Sequence, residues 1–438
     1  MKRVAFCTLG CKVNQYETEA LSGIFRKAGY NVVDFEEEAE VYVINTCTVT
    51  NLSDRKSRQM IRKAKKNNKN SVVIVVGCYA QTAPEEVSKI EGVNMVIGTK
   101  DKGKIIEYIK EMETGGDKLN FVEDVMKVRE FEELGVDVYR ERTRAFIKIQ
   151  EGCNQFCSYC IIPYARGPVR SREEKNILNE ITSLARKGYK EVVLTGIHIA
   201  SYGKDIKTTS LIDIVKKVHE IEGIERIRLG SIEPTLINEE FIESIKSLKK
   251  VCPQYHLSLQ SGCDRTLKRM NRKYTTQDYR KSVALLRENI KDVAITTDIM
   301  VGFPGETDEE FEETYRFLQE IFFASMHVFK YSPRKGTPAA TYPNQVSPEK
   351  KEERSNMLIN LAFDMKVSYN KGYIGKVLPV LFEQEVKEME GYVEGLTPNY
   401  IRVVCEGNGE LEGKILNVLL KETVSDYMTG EIIPENGS

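Results

Sequence analysis

The sequence predicts an α/β protein in three parts: an amino-terminal α/β domain on a parallel sheet, a central incomplete (β/α)6 barrel and a small carboxy-terminal β-barrel. Three observations carry this. Residues 1 to about 110 alternate strand-like and helical runs; from Thr143 six more strand candidates are spaced by helical segments; after Gly372 short alternating strands with glycine turns take over. Strand and helix in alternation specify parallel sheets, whereas short strands between turns specify sandwiches or small barrels. The 438 residues are enough for about three domains of roughly 150 each. With 41% hydrophobic and 29% charged residues the usage is ordinary globular.

Composition also excludes. A net charge of −1 gives no general attraction to polyanions, so any nucleic-acid surface has to be a local patch, and no DNA partner is expected. There is no run of 18 apolar residues, and Met1-Lys2-Arg3-Val4 leads into a strand instead of a signal peptide, so no membrane partner is expected. Ten cysteines, six of them in metal-like contexts, predict a reducing, cytoplasmic setting.

In the first part, strand-like runs fall at Arg3 to Leu9, Val41 to Asn45 and Val72 to Val76, with weaker ones near Val32 and Val96. Cys11 follows the first run, Cys47 the second and Cys78 the third. Carboxyl ends of parallel strands share one edge, where open α/β sheets gather ligands. Cysteines 36 and 31 positions apart can therefore meet. The competing reading is three small buried hydrophobes in loops. Cys7 sits inside its strand, as core. From Asp54 to Asn70 a helical stretch carries eight Lys/Arg against Asp54 alone, a local +7. It is either a solvated face or a phosphate contact.

Residues 113–138 read as a linker, with Gly115-Gly116 and an acidic run at Glu130 to Glu133. The second part, 139–371, has strand candidates at Ala145 to Gln150, Glu191 to Thr195, Arg226 to Leu229, His256 to Gln260, Ala294 to Met300 and Met326 to Tyr331. Six such units suit an incomplete barrel, whose chemistry belongs at the carboxyl ends. A helix is predicted from Pro348 to Tyr369, and the third part is 372–438. From Gly372 onward five Lys/Arg face twelve Asp/Glu, so a charge-based grip on RNA is not expected there.

Directly after the first barrel strand, Gly152 to Cys160 reads Gly-Cys-Asn-Gln-Phe-Cys-Ser-Tyr-Cys. Three thiolates at Cys153, Cys157 and Cys160 select zinc or an iron–sulfur cluster. Zinc wants a fourth protein ligand, and none of His198, His219, His256 and His327 stands at finger-like spacing. Three thiolates on four irons leave one iron open. Cys252 and Cys263 have no partner by spacing and are read as packing residues.

The pattern Cys-x3-Cys-x-Tyr-Cys resembles the signature of the radical S-adenosylmethionine enzymes. That resemblance implies a 4Fe-4S cluster on Cys153, Cys157 and Cys160, whose open iron chelates S-adenosylmethionine, with Tyr159 near the adenine. It also implies cofactor contacts at Thr195 and Gly196, at Ser231 and Glu233, at Gln260, and at Asp298 in Asp298-Ile299-Met300-Val301-Gly302-Phe303-Pro304-Gly305. The stretch Asp264 to Thr275 matches too, its cations serving substrate phosphates or merely solvating a helix.

The words Leu9-Gly10-Cys11-Lys12-Val13-Asn14, Asn45-Thr46-Cys47 and Gly77-Cys78 resemble the amino-terminal domain of the methylthiotransferases, and the last part resembles the TRAM module appended to them. The resemblance implies a second 4Fe-4S cluster on Cys11, Cys47 and Cys78 that carries the sulfur to be inserted, a tRNA substrate, an external electron donor and a sulfur source. Among the family's substrates, Cys11 to Thr18 and Cys157 to Pro168 look most like the branch acting on threonylcarbamoyladenosine beside the anticodon. The alternatives are isopentenyladenosine in tRNA and an aspartate of a ribosomal protein; from another class, a non-catalytic iron–sulfur or zinc RNA-binding protein.

Overall fold

Six parallel strands form the first sheet: β1 (Arg3–Thr8), β2 (Asn31–Val33), β3 (Val41–Thr46), β4 (Val72–Gly77), β5 (Met95–Ile97) and β6 (Leu119–Phe121), in the order β2-β1-β3-β4-β5-β6. The computed structural model describes residues 1–434 apart from 116–118, 137 and 140–142. Val72–Gly77 is an unbroken apolar run because both faces of the sheet are covered, as parallel strands require. One face packs Tyr42, Ile44, Val73 and Val75, the other Val41, Val43, Ile74 and Val76. Helix α1 (Lys12–Lys27) begins at Cys11, α2 (Asn51–Asn67) follows Cys47 closely, and α3 (Cys78–Thr82) opens with Cys78.

The stretch expected as a linker is partly woven in. β6 pairs with β5, and Phe121 stacks on Tyr108 with ring centroids 3.8 Å apart. Three residues are too few to show a strand period. The acidic run is held as well: Glu133 pairs with Arg172 at 2.8 Å, and Glu132 accepts from the Gly103 N–H at 2.9 Å. Gly116 lies outside the described residues.

The central part has β7 (Arg144–Glu151), β8 (Arg170–Ser171), β9 (Glu191–Gly196), β10 (Arg226–Leu229), β11 (Gln254–His256), β12 (Ala294–Val301) and β13 (Ser325–Lys330). They form two sheets, β10-β9-β7-β8 and β11-β12-β13, stitched by isolated bridges at Ile227–Val251 and Ile232–Leu257. Apart from the antiparallel two-residue β8, the pairings are parallel. The strand expected at His256 to Gln260 ends at His256 instead, and Gln260 stands at φ +71, a left-handed turn no strand continues through. Tyr16 and Ala20 of α1 share the barrel's own core with Ile147 and Leu194. Burying Tyr16 alone adds about 1.5–3 kcal/mol to the union of the two parts.

The last strands, β14 (Val377–Glu385), β15 (Tyr392–Leu396), β16 (Arg402–Glu406), β17 (Ile415–Val424) and β18 (Tyr427–Ile432), close into a barrel in the order β14-β15-β16-β18-β17. Closure removes exposed edges. It is joined to the central part by arginines at the start of β10. Arg226 donates to Leu396 O at 2.9 Å and Pro379 O at 2.8 Å; Arg228 donates to Pro398 O at 3.0 Å and Glu191 Oε1 at 2.9 Å, its guanidinium 4.7 Å from the Tyr400 ring. Arg228→Ala removes the nearest cation from the buried Glu191 carboxylate, leaving Arg226 at 3.7 Å and Arg144 at 3.9 Å, and should cost about 1–3 kcal/mol in denaturant melts. An unchanged midpoint would show that this joint carries no stability.

Candidate active site

The turns after β1, β3 and β4 are pressed together by two glycines. A Cβ on Gly10, at φ +109, would lie 2.7 Å from Cys47 Cβ; one on Gly77, at φ +96, would lie 2.6 Å from Asn45 Oδ1. Only glycine permits both the left-handed backbone and the approach. Asn14 adds a stitch, donating to Leu9 O at 2.7 Å and Thr46 O at 3.1 Å. Cys11 occupies the N-cap position of α1, yet its side chain makes no capping bond. Cys11 is exposed, whereas Cys47 and Cys78 are buried.

Cys78 receives the Nε–H of Arg166 at 3.1 Å. Arg166 has no exposed surface; it also donates to Glu17 Oε1 at 2.6 Å, Asn14 Oδ1 at 2.5 Å and Glu151 Oε2 at 3.2 Å. Lys102 and Lys148 complete the group on Glu17, at 2.6 and 2.8 Å. Burial alone would push the Glu17 carboxyl up, but Arg166, Lys102 and Lys148 hold it well below the usual carboxylate range. Of this buried group, Arg166 is the cation that reaches the Cys78 sulfur, while Lys102 and Lys148 serve the carboxylates. Arg166 ends the helix Ile162–Arg166 that follows Cys160, so one side chain ties the two cysteine regions together.

In the second set, Cys157 accepts from Arg272 NH1 at 3.3 Å and Cys153 from the Gln155 N–H at 3.5 Å. Arg272 also pairs with Glu233 at 3.2 Å, and Glu233 accepts from Gln155 and meets His198 Nε2, both at 3.1 Å. Burial would raise the Glu233 carboxyl, but His198 and Arg272 hold it lower. Asp298 likewise sits below its ordinary range: burial works against it, and His256 and His327, each 3.3 Å away, prevail.

A cavity of about 240 Å³ is lined by Tyr159, Cys160, Gln260, Asp298 and Met300 from the barrel mouth, by Phe329 to Ser332, and by Val49 and Thr50 of the first part. It therefore gathers Tyr159, Gln260 and Asp298 of the expected cofactor contacts. Thr195, Gly196, Ser231 and Glu233 are not in its lining; they stand at the ends of β9 and β10, where Glu233 turns toward the cysteine loop. The cavity's two sides are fastened by Arg334, which donates to Thr48 Oγ1 at 2.5 Å, Asn51 Oδ1 at 2.6 Å and Asp54 Oδ2 at 2.6 Å.

Two functional candidates were not singled out individually in the sequence. Arg166 lies inside the word Cys157 to Pro168, but its contacts, Asn14, Glu17 and Cys78, are remote along the chain. Arg272 was visible only as one of several cations between Asp264 and Thr275. Of the remaining cysteines, Cys252, Cys263 and Cys405 are buried and Cys7 half-buried.

Among the described residues no three His, Cys, Asp or Glu side chains form a ready ligand set for a metal ion. A cluster would take these thiols as thiolates. Their surroundings fit such a group. Each of Cys47, Cys78, Cys153, Cys157 and Cys160 accepts hydrogen bonds from backbone N–H or cationic donors, the partners that thiolate sulfur takes on iron.

Residues 147–318 match the radical SAM superfamily, and residues 3–98 match a family described as uncharacterized protein family UPF0004. The class is that of radical S-adenosylmethionine enzymes, which implies a 4Fe-4S cluster and S-adenosylmethionine. The threonylcarbamoyladenosine tRNA methylthiotransferase MtaB of Bacillus subtilis is 45% identical over 99% of this chain and 97% of its own. That of Aquifex aeolicus is 41% identical over 95% and 100%. The tRNA-2-methylthio-N(6)-dimethylallyladenosine synthase of Clostridium novyi is 38% identical over 99% and 97%. The chain belongs to the radical S-adenosylmethionine tRNA methylthiotransferase family. The fold is shared with the radical S-adenosylmethionine methyltransferase TsrM of Kitasatospora setae, at a TM-score of 0.59 and 16% identity over 78% of this chain and 77% of that one.

Burial pushes the thiols of Cys153, Cys78 and Cys160 up, to about 11, about 12 and about 12. They are protonated at neutral pH and bind iron only by releasing protons. Iron uptake during anaerobic reconstitution should therefore weaken as pH falls below neutral and strengthen as it rises. Uptake independent of pH would mean that these thiols are already ionised.

Proposed function

We propose that this chain converts threonylcarbamoyladenosine in tRNA to its 2-methylthio derivative, using two 4Fe-4S clusters. The observation that carries the reading is the common cavity. Val49 and Thr50, just past Cys47, face Tyr159 and Cys160 across it. A base seated there would lie next to residues that adjoin both cysteine sets, which would hold the clusters that supply the radical and the sulfur. Relatives named for the threonylcarbamoyl substrate match at 45%, 41% and 37%, against 38% for a dimethylallyl one, so the two highest of these identities fall with the former.

Insertion of sulfur at an unactivated C–H bond offers no acidic proton, so the few histidines could not perform it by acid–base chemistry. When bound, a reduced cluster and S-adenosylmethionine supply a 5′-deoxyadenosyl radical able to remove that hydrogen. The chain does the rest. Cys153, Cys157 and Cys160 hold one cluster, with Arg272 hydrogen-bonded to the Cys157 sulfur. Cys11, Cys47 and Cys78 hold the other, with Arg166 at the Cys78 sulfur. Tyr159, Gln260 and Asp298 wall the nucleoside of the cofactor, while Thr195, Gly196, Ser231 and Glu233 receive its polar groups. Electrons and replacement sulfur come from an external donor and a sulfur source.

The reconstituted chain should carry about eight irons, four per cluster. Cys157→Ala should abolish S-adenosylmethionine cleavage; Cys47→Ala should retain cleavage, lose about four irons and form no methylthio product. Mass spectrometry of nucleosides after incubation with tRNA bearing each candidate modification reads the substrate. Product formation by the Cys47 variant would sink the assignment of the second cluster, and product on dimethylallyladenosine alone would reverse the substrate.

A further inference from the structure

Helix α2 presents a row of cations that folding leaves unused. Arg55, Lys56, Arg62 and Lys66 are exposed, and among the described residues none has an acidic partner within 4 Å. Arg55, Arg62 and Lys66, at i, i+7 and i+11, share one face, with Lys56 at its flank. The neighbouring cations are committed elsewhere. Arg58 pairs with Glu86 at 3.3 Å, Lys63 pairs with Glu36, and Lys65 bonds the Ser71 carbonyl. The helix's one acid, Asp54, is turned inward onto Arg334. What remains is an uncompensated positive stripe about 16 Å long.

Its position gives the stripe a purpose. Thr50, which caps α2 by accepting from the Ser53 N–H, lines the cavity between the two cysteine regions, as does Val49. The helix therefore starts at the cavity mouth and runs away from it. Val49 and Leu52, beside the mouth, are 50% and 59% exposed, apolar surface that a nucleobase could cover. The carboxy-terminal barrel offers the opposite field, five Lys/Arg against twelve Asp/Glu from residue 372 onward. A polyanion approaching this molecule is drawn to α2 and repelled by the last barrel.

We infer that the exposed face of α2 is the docking surface for the phosphate backbone of the substrate RNA, with the target nucleotide entering the cavity at the helix's first turn and the adjoining stem lying along Arg62 and Lys66. The inference rests on the tRNA reading above and adds the surface that recognises it. Arg55 and Lys56 meet the phosphates beside the inserted base, and the contacts are sequence-independent.

The test uses the full-length reconstituted chain, a synthetic anticodon stem–loop RNA and fluorescence anisotropy across a salt series. Replacing all four cations (Arg55→Gln, Lys56→Gln, Arg62→Gln, Lys66→Gln) should weaken binding about tenfold or more at physiological salt and cut the slope of log K against log salt by roughly three units. Cleavage of S-adenosylmethionine without RNA should stay at the wild-type level, which certifies folding and cluster content. Lys387→Gln with Lys414→Gln, in the last barrel, should leave both binding quantities unchanged. An affinity and slope within twofold of wild type in the α2 variant overturn the docking surface, as does an equal loss in the last-barrel variant. A wild-type chain that binds no RNA at all would instead undo the tRNA reading itself.

Discussion

A guanidinium without solvent can be kept only where its charge is met, and that condition governs the centre of this molecule. Arg166 is met by Glu17 and Asn14 of the first part, by Glu151 of the second and by the Cys78 sulfur. Removing one partner from such a buried set costs about 3–5 kcal/mol. The two sheets therefore have little freedom to choose another relative placement. Arg166, the Tyr16 packing and the Arg334 bonds together hold the two parts about the shared cavity.

The same group sets the local electrostatics. Burial raises the Cys78 thiol and Arg166 works against it, its hydrogen bond being of the kind that would stabilise a thiolate held on a cluster. Around Cys157, Arg272 plays a corresponding part, balanced by Glu233. Charge is sorted over longer distances too: basic along α2, acidic over the last barrel. A chain with almost no net charge thereby acquires a directed field.

Much of the fold was legible because its elements are long and strongly periodic. The runs at Arg3, Val41, Val72 and Ala294 gave strands within a residue or two of those observed, and glycine turns after Gly372 gave the last barrel. Short elements escaped: β6 and β8 are too brief to show a period, and Gln260 ends its strand through a backbone conformation that side-chain pattern does not encode. At the candidate site, cysteine spacing and strand-end position marked the two sets of thiols as candidate ligands, since few residue types can replace them. They could not name Arg166 or Arg272, because nothing in a sequence separates an arginine destined for burial on sulfur from one bound for solvent. Nor could they separate the expected cofactor contacts into those lining the cavity, such as Gln260 and Asp298, and those beside the cysteine loop, such as Glu233.

The carbonyls at Pro379, Leu396, Thr397 and Pro398 are where Arg226 and Arg228 come to rest. The terminal module is thus a floor under the central barrel as well as an appendage. A shortened chain ending near residue 371 would strip Arg226 and Arg228 of these carbonyls and leave both leaning mainly on Glu191, loosening the strand that carries it and, farther along, the turn that carries Glu233. Loss of turnover in such a truncation would report a collapsing foundation before it reported anything about RNA.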